Sequence, residues 1–376
     1  MSFMSVYKLA LIGCLIWLTA SLQAQVFTNK EVGKKNEQLI DSLKVSEYPY
    51  VLPILGAKAT KAGYNLPYSA GISTQYFTQE SSIIIENLQV GFNNGTMYNL
   101  DEIVRFDDAI AKASAATIRP DIWLLPFLNV YGIFGRAAAS TEVNFGIWLP
   151  DSTNTAKEIL STGTVIEFQT STFGLGITPT LGVGGGFMAL DMNVSWTDVP
   201  QLKKPAQTFI FGPRFGKNFR FKRPDQGIAV WAGGFRVKLN SVTVGSLPLA
   251  DILPPDFGSK VDQGLVRVDE SQQEVDTWWA GLSSTEQRNP VNVAKYETAN
   301  EALAKAGEIL YAAEGAINTI ENSTVQYSMD KRPKDMWNFI VGTQYQHNKH
   351  FMIRGEVGFL GSRTQLMVGL QYRFGL

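Results

Sequence analysis

Few side chains in this sequence are equipped for chemistry. Among 376 residues there are two histidines, His347 and His350, and one cysteine, Cys14. Both histidines fall in Gln346-His347-Asn348-Lys349-His350, a polar stretch that reads as a turn. Two imidazoles at that spacing supply half a metal shell, and nothing adjacent completes it. Gly182-Val183-Gly184-Gly185-Gly186 lacks the Gly-Lys-Ser/Thr continuation of a phosphate loop. Its glycines suit a hairpin that needs positive φ. The sequence therefore predicts no catalytic residue, no metal and no cofactor. What remains is charge. Arg214, Arg220, Arg236, Lys238, Arg354 and Arg373, with Asp191 and Glu356, recur at alternate positions within otherwise apolar segments.

The segments that carry these charges have a period of two. Toward the C-terminus, Leu366, Val368, Leu370, Tyr372 and Phe374 oppose Gln365, Met367, Gly369, Gln371 and Arg373. Phe351, Ile353, Val357 and Phe359 oppose Met352, Arg354, Glu356 and Gly358, and Trp337, Phe339, Val341 and Tyr345 oppose Asn338, Gly342, Gln344 and Gln346. Upstream, Phe209, Phe211, Phe215 and Phe219 oppose Gly212, Arg214 and Arg220, and Met188 to Trp196 alternates with Asp191, Asn193 and Ser195. Trp231, Phe235, Val237 and Leu239 oppose Gly234, Arg236 and Lys238. Strict alternation makes strands with one apolar and one polar face. A soluble sandwich alternates too. Three features favour a barrel in a membrane: aromatics crowding the apolar parity near strand ends, strands of roughly 10–15 residues, and the closing Leu-Gln-Tyr-Arg-Phe-Gly-Leu.

That ending and pattern resemble the transmembrane β-barrels of Gram-negative outer membranes over about residues 70–376, with Phe374 two residues from the end rather than last. The resemblance implies a fold and a location, and no substrate. No segment forms a spanning helix: the best, Ile122 to Phe134, is broken by Pro126, Asn129 and Gly132. The N-terminus fits export, with Lys8 before the apolar run Leu9–Leu18 and Ala24 at a cleavage point. A second reading takes Leu11-Ile12-Gly13-Cys14 as a lipid-attachment box, which leaves apolar Leu15–Leu18 in the mature chain. Cleavage after Ala24 is preferred, and it removes Cys14, so neither disulfides nor a thiolate site is expected. A formal charge of −1 provides no pull toward nucleic acid.

The expected fold is all-β with a helical insertion, an antiparallel transmembrane barrel of 10 strands, or 12 if two of the longest split. Residues 1–24 are the signal, 25–69 a periplasmic segment with a short helix over Glu31–Val45, and 70–376 the barrel. Short turns at 125–127, 182–186, 223–226 and 346–350 fall on the periplasmic side. Residues 245–334 form an outer-side insertion with a helical hairpin: Tyr296, Ala299, Leu303, Ala306, Leu310, Ala313, Ile317 and Ile320 make one stripe, and an earlier helix covers Glu270–Gln287. From Asp262 to Asp330, twelve carboxylates face four cations, a net −8. The eight charged residues named above are expected to line the lumen, because a cation facing lipid at midplane costs ~2–4 kcal/mol. Two functions follow. One is a porin-like channel for small solutes with a basic lumen, over which the acidic hairpin either caps the mouth with its carboxylates near the lumenal arginines or stands clear as a solvated outer domain. The other is a plugged barrel that offers its hairpin to a protein partner. In both, the barrel's constant partner is outer-membrane lipid.

Overall fold

The computed structural model describes residues 37–376 apart from 102, 151–155, 184, 200–201, 203, 224, 241 and 252–254. The expected signal, Cys14 and the start of the N-terminal segment lie outside the described residues. Ten strands pair antiparallel around a ring: β1 (Ala70–Phe92), β3 (Val104–Leu125), β4 (Leu128–Pro150), β5 (Ala156–Val183), β6 (Gly186–Asp198), β7 (Ala206–Arg220), β8 (Gly227–Asn240), β11 (Trp337–Gln346), β12 (Phe351–Phe359) and β13 (Arg363–Phe374). The ring closes where β13 returns to β1, from Ala70↔Phe374 to Ser81↔Arg363. Three short strands lie off it: β2 (Tyr98–Asn99), β9 (Val242–Pro248) and β10 (Thr324–Pro333). Closure satisfies the backbone of every ring strand from a neighbour, the condition for crossing lipid with strands.

Alternation sets the two faces. On β12, Met352 and Glu356 are buried, whereas Phe351, Ile353, Val357 and Phe359 are exposed. On β13, Gln365 and Arg373 are buried, and Leu366, Val368, Leu370 and Tyr372 are exposed. Large apolar side chains are similarly exposed on neighbouring strands, including Tyr76, Ile118, Phe134, Phe173, Phe209 and Phe339. A soluble protein would not leave so wide an apolar belt in water. With the ring, it marks a transmembrane-type β-barrel.

The wall is uneven. β1, β3, β4 and β5 run 22–28 residues, against 9–15 in the other ring strands. Past Ser81 the tall wall continues because β10 pairs with the upper part of β1, and β9 pairs with β10. The sequence reading has no strands in this insertion. Bulges on β1, where Asn87 takes φ 55°, and on β3 between Phe106 and Asp108 shift the register by one residue. Each shift keeps apolar side chains facing inward, so that Leu88 and Val90 follow Ile85, and Phe106 and Val104 follow Ala109.

That inward apolar surface receives the hairpin. Helix α3 (Phe257–Gly281) and helix α5 (Pro290–Ile317) are joined through a short helix, α4 (Ser284–Gln287). Asn289 caps α5 through Val291 N at 2.9 Å, and Pro290 begins it. Val261 and Val275 of α3, with Leu303, Ala306 and Leu310 of α5, pack on Leu88, Val104, Ile147 and Leu160 of the wall. The stripe is thus buried against both its own hairpin and the tall wall. α3 begins 13 residues before the expected Glu270, because Gly264 and Ser271 on its buried face dilute the apolar period.

At the opposite end lie the short turns between β3 and β4, β5 and β6, β7 and β8, and β11 and β12. Helices α1 (Glu37–Val45) and α2 (Gly56–Lys61) precede the ring, and the chain around α2 docks at this end. Val51 N donates to Leu376 O at 2.8 Å, and Ile54 N to Leu124 O at 3.0 Å. Burial beside Tyr50 pushes the Tyr48 phenol up to about 12. His350 is part of this clasp: Nδ1 donates to Arg373 O at 2.8 Å, and the ring lies 4.7 Å from that of Tyr68 and 5.5 Å from that of Tyr372. His347 sits beside Tyr345 instead.

The faces can be tested by charge. Leu370→Arg is expected to cost ~2–4 kcal/mol and to remove the heat-modifiable folded band on a gel. Gln371→Arg, one residue along and facing inward, should keep that band.

Candidate functional site

The residues with chemical potential meet inside the ring. Arg214 on β7 reaches Glu356 on β12 across two intervening strands, which only a path through the interior allows. Its Nε and Nη2 donate to Glu356 at 2.9 and 3.1 Å, a two-pronged contact, and Nη1 donates to Asp191 on β6 at 3.1 Å. Trp231 Nε1 donates to Glu356 at 2.8 Å, and Arg354 Nη2 donates to it at 3.2 Å. Tyr131 Oη and Thr178 Oγ1 donate to Asp191, and Asn193 Nδ2 donates to Tyr131 Oη at 3.2 Å. Each carboxylate thus accepts several bonds, as a buried carboxylate must.

Two arginines flank this bridge, each lying over an aromatic ring. Arg119 sits 3.9 Å from the Tyr131 ring centre, and Arg354 sits 4.8 Å from that of Trp231. Glycines make the room. A methyl group at Gly176 would run into the Tyr131 ring, and one at Gly342 into Trp231.

A second cluster lies toward the turn end. Arg373 Nη2 is 2.9 Å from Asp121, which also accepts from Gln371 Nε2 at 2.9 Å and Asn129 Nδ2 at 2.8 Å. Arg373 Nε donates to Tyr68 O at 3.0 Å, tying the N-terminal segment to the barrel. Between the two clusters and the turn end is a cavity of about 330 Å³, bordered by Asn65, Leu66 and Pro67 of that segment.

Of the eight charged residues singled out in the sequence, Asp191, Arg214, Arg354 and Glu356 form one network, Arg373 joins the second cluster, and Arg220 borders the cavity. Arg236 and Lys238 do not join them, which corrects their expected lumenal placement. Register pairs Arg214 with Gly233, so the odd positions of β8 face inward. Trp231 and Phe235 are buried there, while Arg236 and Lys238 share a face with Phe211 and Phe209. Parity points the wrong way on β8 because a large aromatic there, Trp231, fills the interior and donates to Glu356. Both cations sit toward the Asn240 end of β8, where their long aliphatic stems let the charge extend away from the apolar face. Arg119, Asp121 and Tyr131 were missed. Asp121, an acid that with Arg119 and Pro120 interrupts the strand ahead of the apolar run Ile122–Leu125, is a signal open to reading.

Arg214, Arg354 and Arg373 find their carboxylates on the barrel wall, in Asp121, Asp191 and Glu356. The hairpin packs on the wall through an apolar cluster.

No family model and no curated protein matches the chain. Among solved structures, it is similar to the β domain of the Bordetella autotransporter BrkA (8% identity, 81% of this chain and 100% of that one, TM-score 0.29). It is also similar to the transport unit of the autotransporter AIDA-I from Escherichia coli (7%, 92% and 100%, TM-score 0.29). A third is a Pseudomonas aeruginosa FadL homologue (8%, 84% and 92%, TM-score 0.26). Likenesses at these scores carry no argument, and the fold rests on the strand ring.

Removing one partner of a buried pair strands the other charge. Glu356→Ala is therefore expected to lower stability by ~3–5 kcal/mol, seen as an earlier urea midpoint of the folded barrel. Arg236→Ala, on the outward face, should stay within ~0.5 kcal/mol of the parent.

Proposed function

We propose that this protein is an exported outer-membrane β-barrel, closed at rest, that carries an acidic helical hairpin over one end for contact with a protein partner. The observation that carries this reading is the Arg214 bridge. An open diffusion pore needs a wetted path, but here a guanidinium 7% exposed links β6 to β12 through the interior by way of Asp191 and Glu356, with Tyr131 and Trp231 bonded to the same carboxylates. The hairpin supports the same reading. Its apolar stripe is spent on the wall, and its carboxylates, such as Asp269, Glu270, Glu274 and Glu301, face solvent. The surface it offers is therefore anionic, and the matching partner surface is basic.

A second reading, a gated passage for small anions, is favoured by the basic residues around the interior cavity. It requires the bridge to part.

Single-channel recording in planar bilayers separates the two. The wild-type protein should show no steady conductance, and the double variant Arg214→Ala, Glu356→Ala should show one. A steady ohmic current from the unmodified, folded barrel would overturn the closed-barrel reading.

A further inference from the structure

The interior charges do not balance. Around the two clusters stand four guanidinium groups, Arg119, Arg214, Arg354 and Arg373, and three carboxylates, Asp121, Asp191 and Glu356. Arg214 engages two of the carboxylates, Arg354 shares Glu356, and Arg373 holds Asp121. Arg119 has no carboxylate in ion-pair contact among the described residues; its guanidinium lies over the face of Tyr131. An arginine does not discharge by losing its proton, so this excess is permanent. A guanidinium that lies over a ring satisfies its face and leaves its in-plane N–H donors free. Arg354, on β12 and separated from β3 by β1 and β13 around the ring, likewise lies over a ring, that of Trp231, and its Nε is buried and unpartnered.

Both arginines border the same cavity of about 330 Å³, a size at the low end of small-molecule sites. Neutral hydrogen-bonding groups complete its lining, among them Ser73, Gln75 and Thr180. At the turn end the cavity is also bordered by Arg220, Lys349 and Asp225. A planar acceptor with two oxygens suits donors presented edge-on, and one negative charge matches the surplus.

We propose that this cavity is a binding site for a small monovalent carboxylate, held between Arg119 and Arg354. The proposal rests on the closed-barrel reading only in treating the cavity as blind. Binding is measured in detergent without any current, so the two can fail separately.

The test is thermal unfolding of the purified barrel, titrated with sodium acetate or with its neutral isostere acetamide at matched sodium chloride. Acetate should raise Tm saturably, and acetamide should not. Arg119→Gln should weaken acetate binding at least tenfold, with Arg119→Lys between the two. Arg354→Gln, on β12, serves as the second variant and should weaken acetate binding as well. Equal responses to acetate and acetamide would overturn the proposal, and that comparison needs no variant to fold. So would unchanged acetate affinity in a folded Arg119→Gln protein.

Discussion

A strand crossing lipid must find every backbone partner within the protein, and this chain meets that demand by bringing its last strand back to its first. Closure of β13 on β1 commits ten strands to one ring. Each residue then has to point either into lipid or into a narrow interior. The exposed row of Leu366, Val368 and Leu370 and the buried row of Gln365 and Arg373 are two consequences of that single closure. So is the interior crowding, because ten strands enclose little more space than their own side chains fill.

Crowding turns charge into architecture. In an interior this tight, a guanidinium such as Arg214 touches carboxylates from strands far apart around the ring. The low dielectric makes each unanswered charge expensive, which is why Glu356 collects donors from Arg214, Trp231 and Arg354 together. Glycine has a matching role here. At Gly176 and Gly342 the missing side chain is the space that Tyr131 and Trp231 occupy.

The two ends of the barrel are built on different physics. At the turn end, hydrogen bonds and stacked rings clasp the N-terminal segment to the C-terminus, with His350 between Tyr68 and Tyr372. At the other end an apolar core holds α3 and α5 against the tall wall, and register shifts on β1 and β3 keep that wall's apolar residues facing the helices. The hairpin's carboxylates are left to solvent, so its acidity is a property of its outer surface and does not join the interior network.

Period-two alternation determined which segments became strands and, on most of them, which face met lipid, since that pattern is local and each residue carries it. The count of ten, the short turns on one side and the stripe from Tyr296 to Ile317 were legible for the same reason. What the sequence alone did not determine was how faces combine across strands. On β8 both parities read as reasonable exteriors, and only the register of Arg214 with Gly233 put Trp231 inside and Arg236 outside. β9 and β10 are invisible in the sequence because β10 pairs with the upper part of β1, more than 230 residues away in the chain, and β9 pairs in turn with β10. The meeting of Arg214 with Glu356 belongs to the same class. Nothing local encodes it, because it exists only once the ring has closed around it.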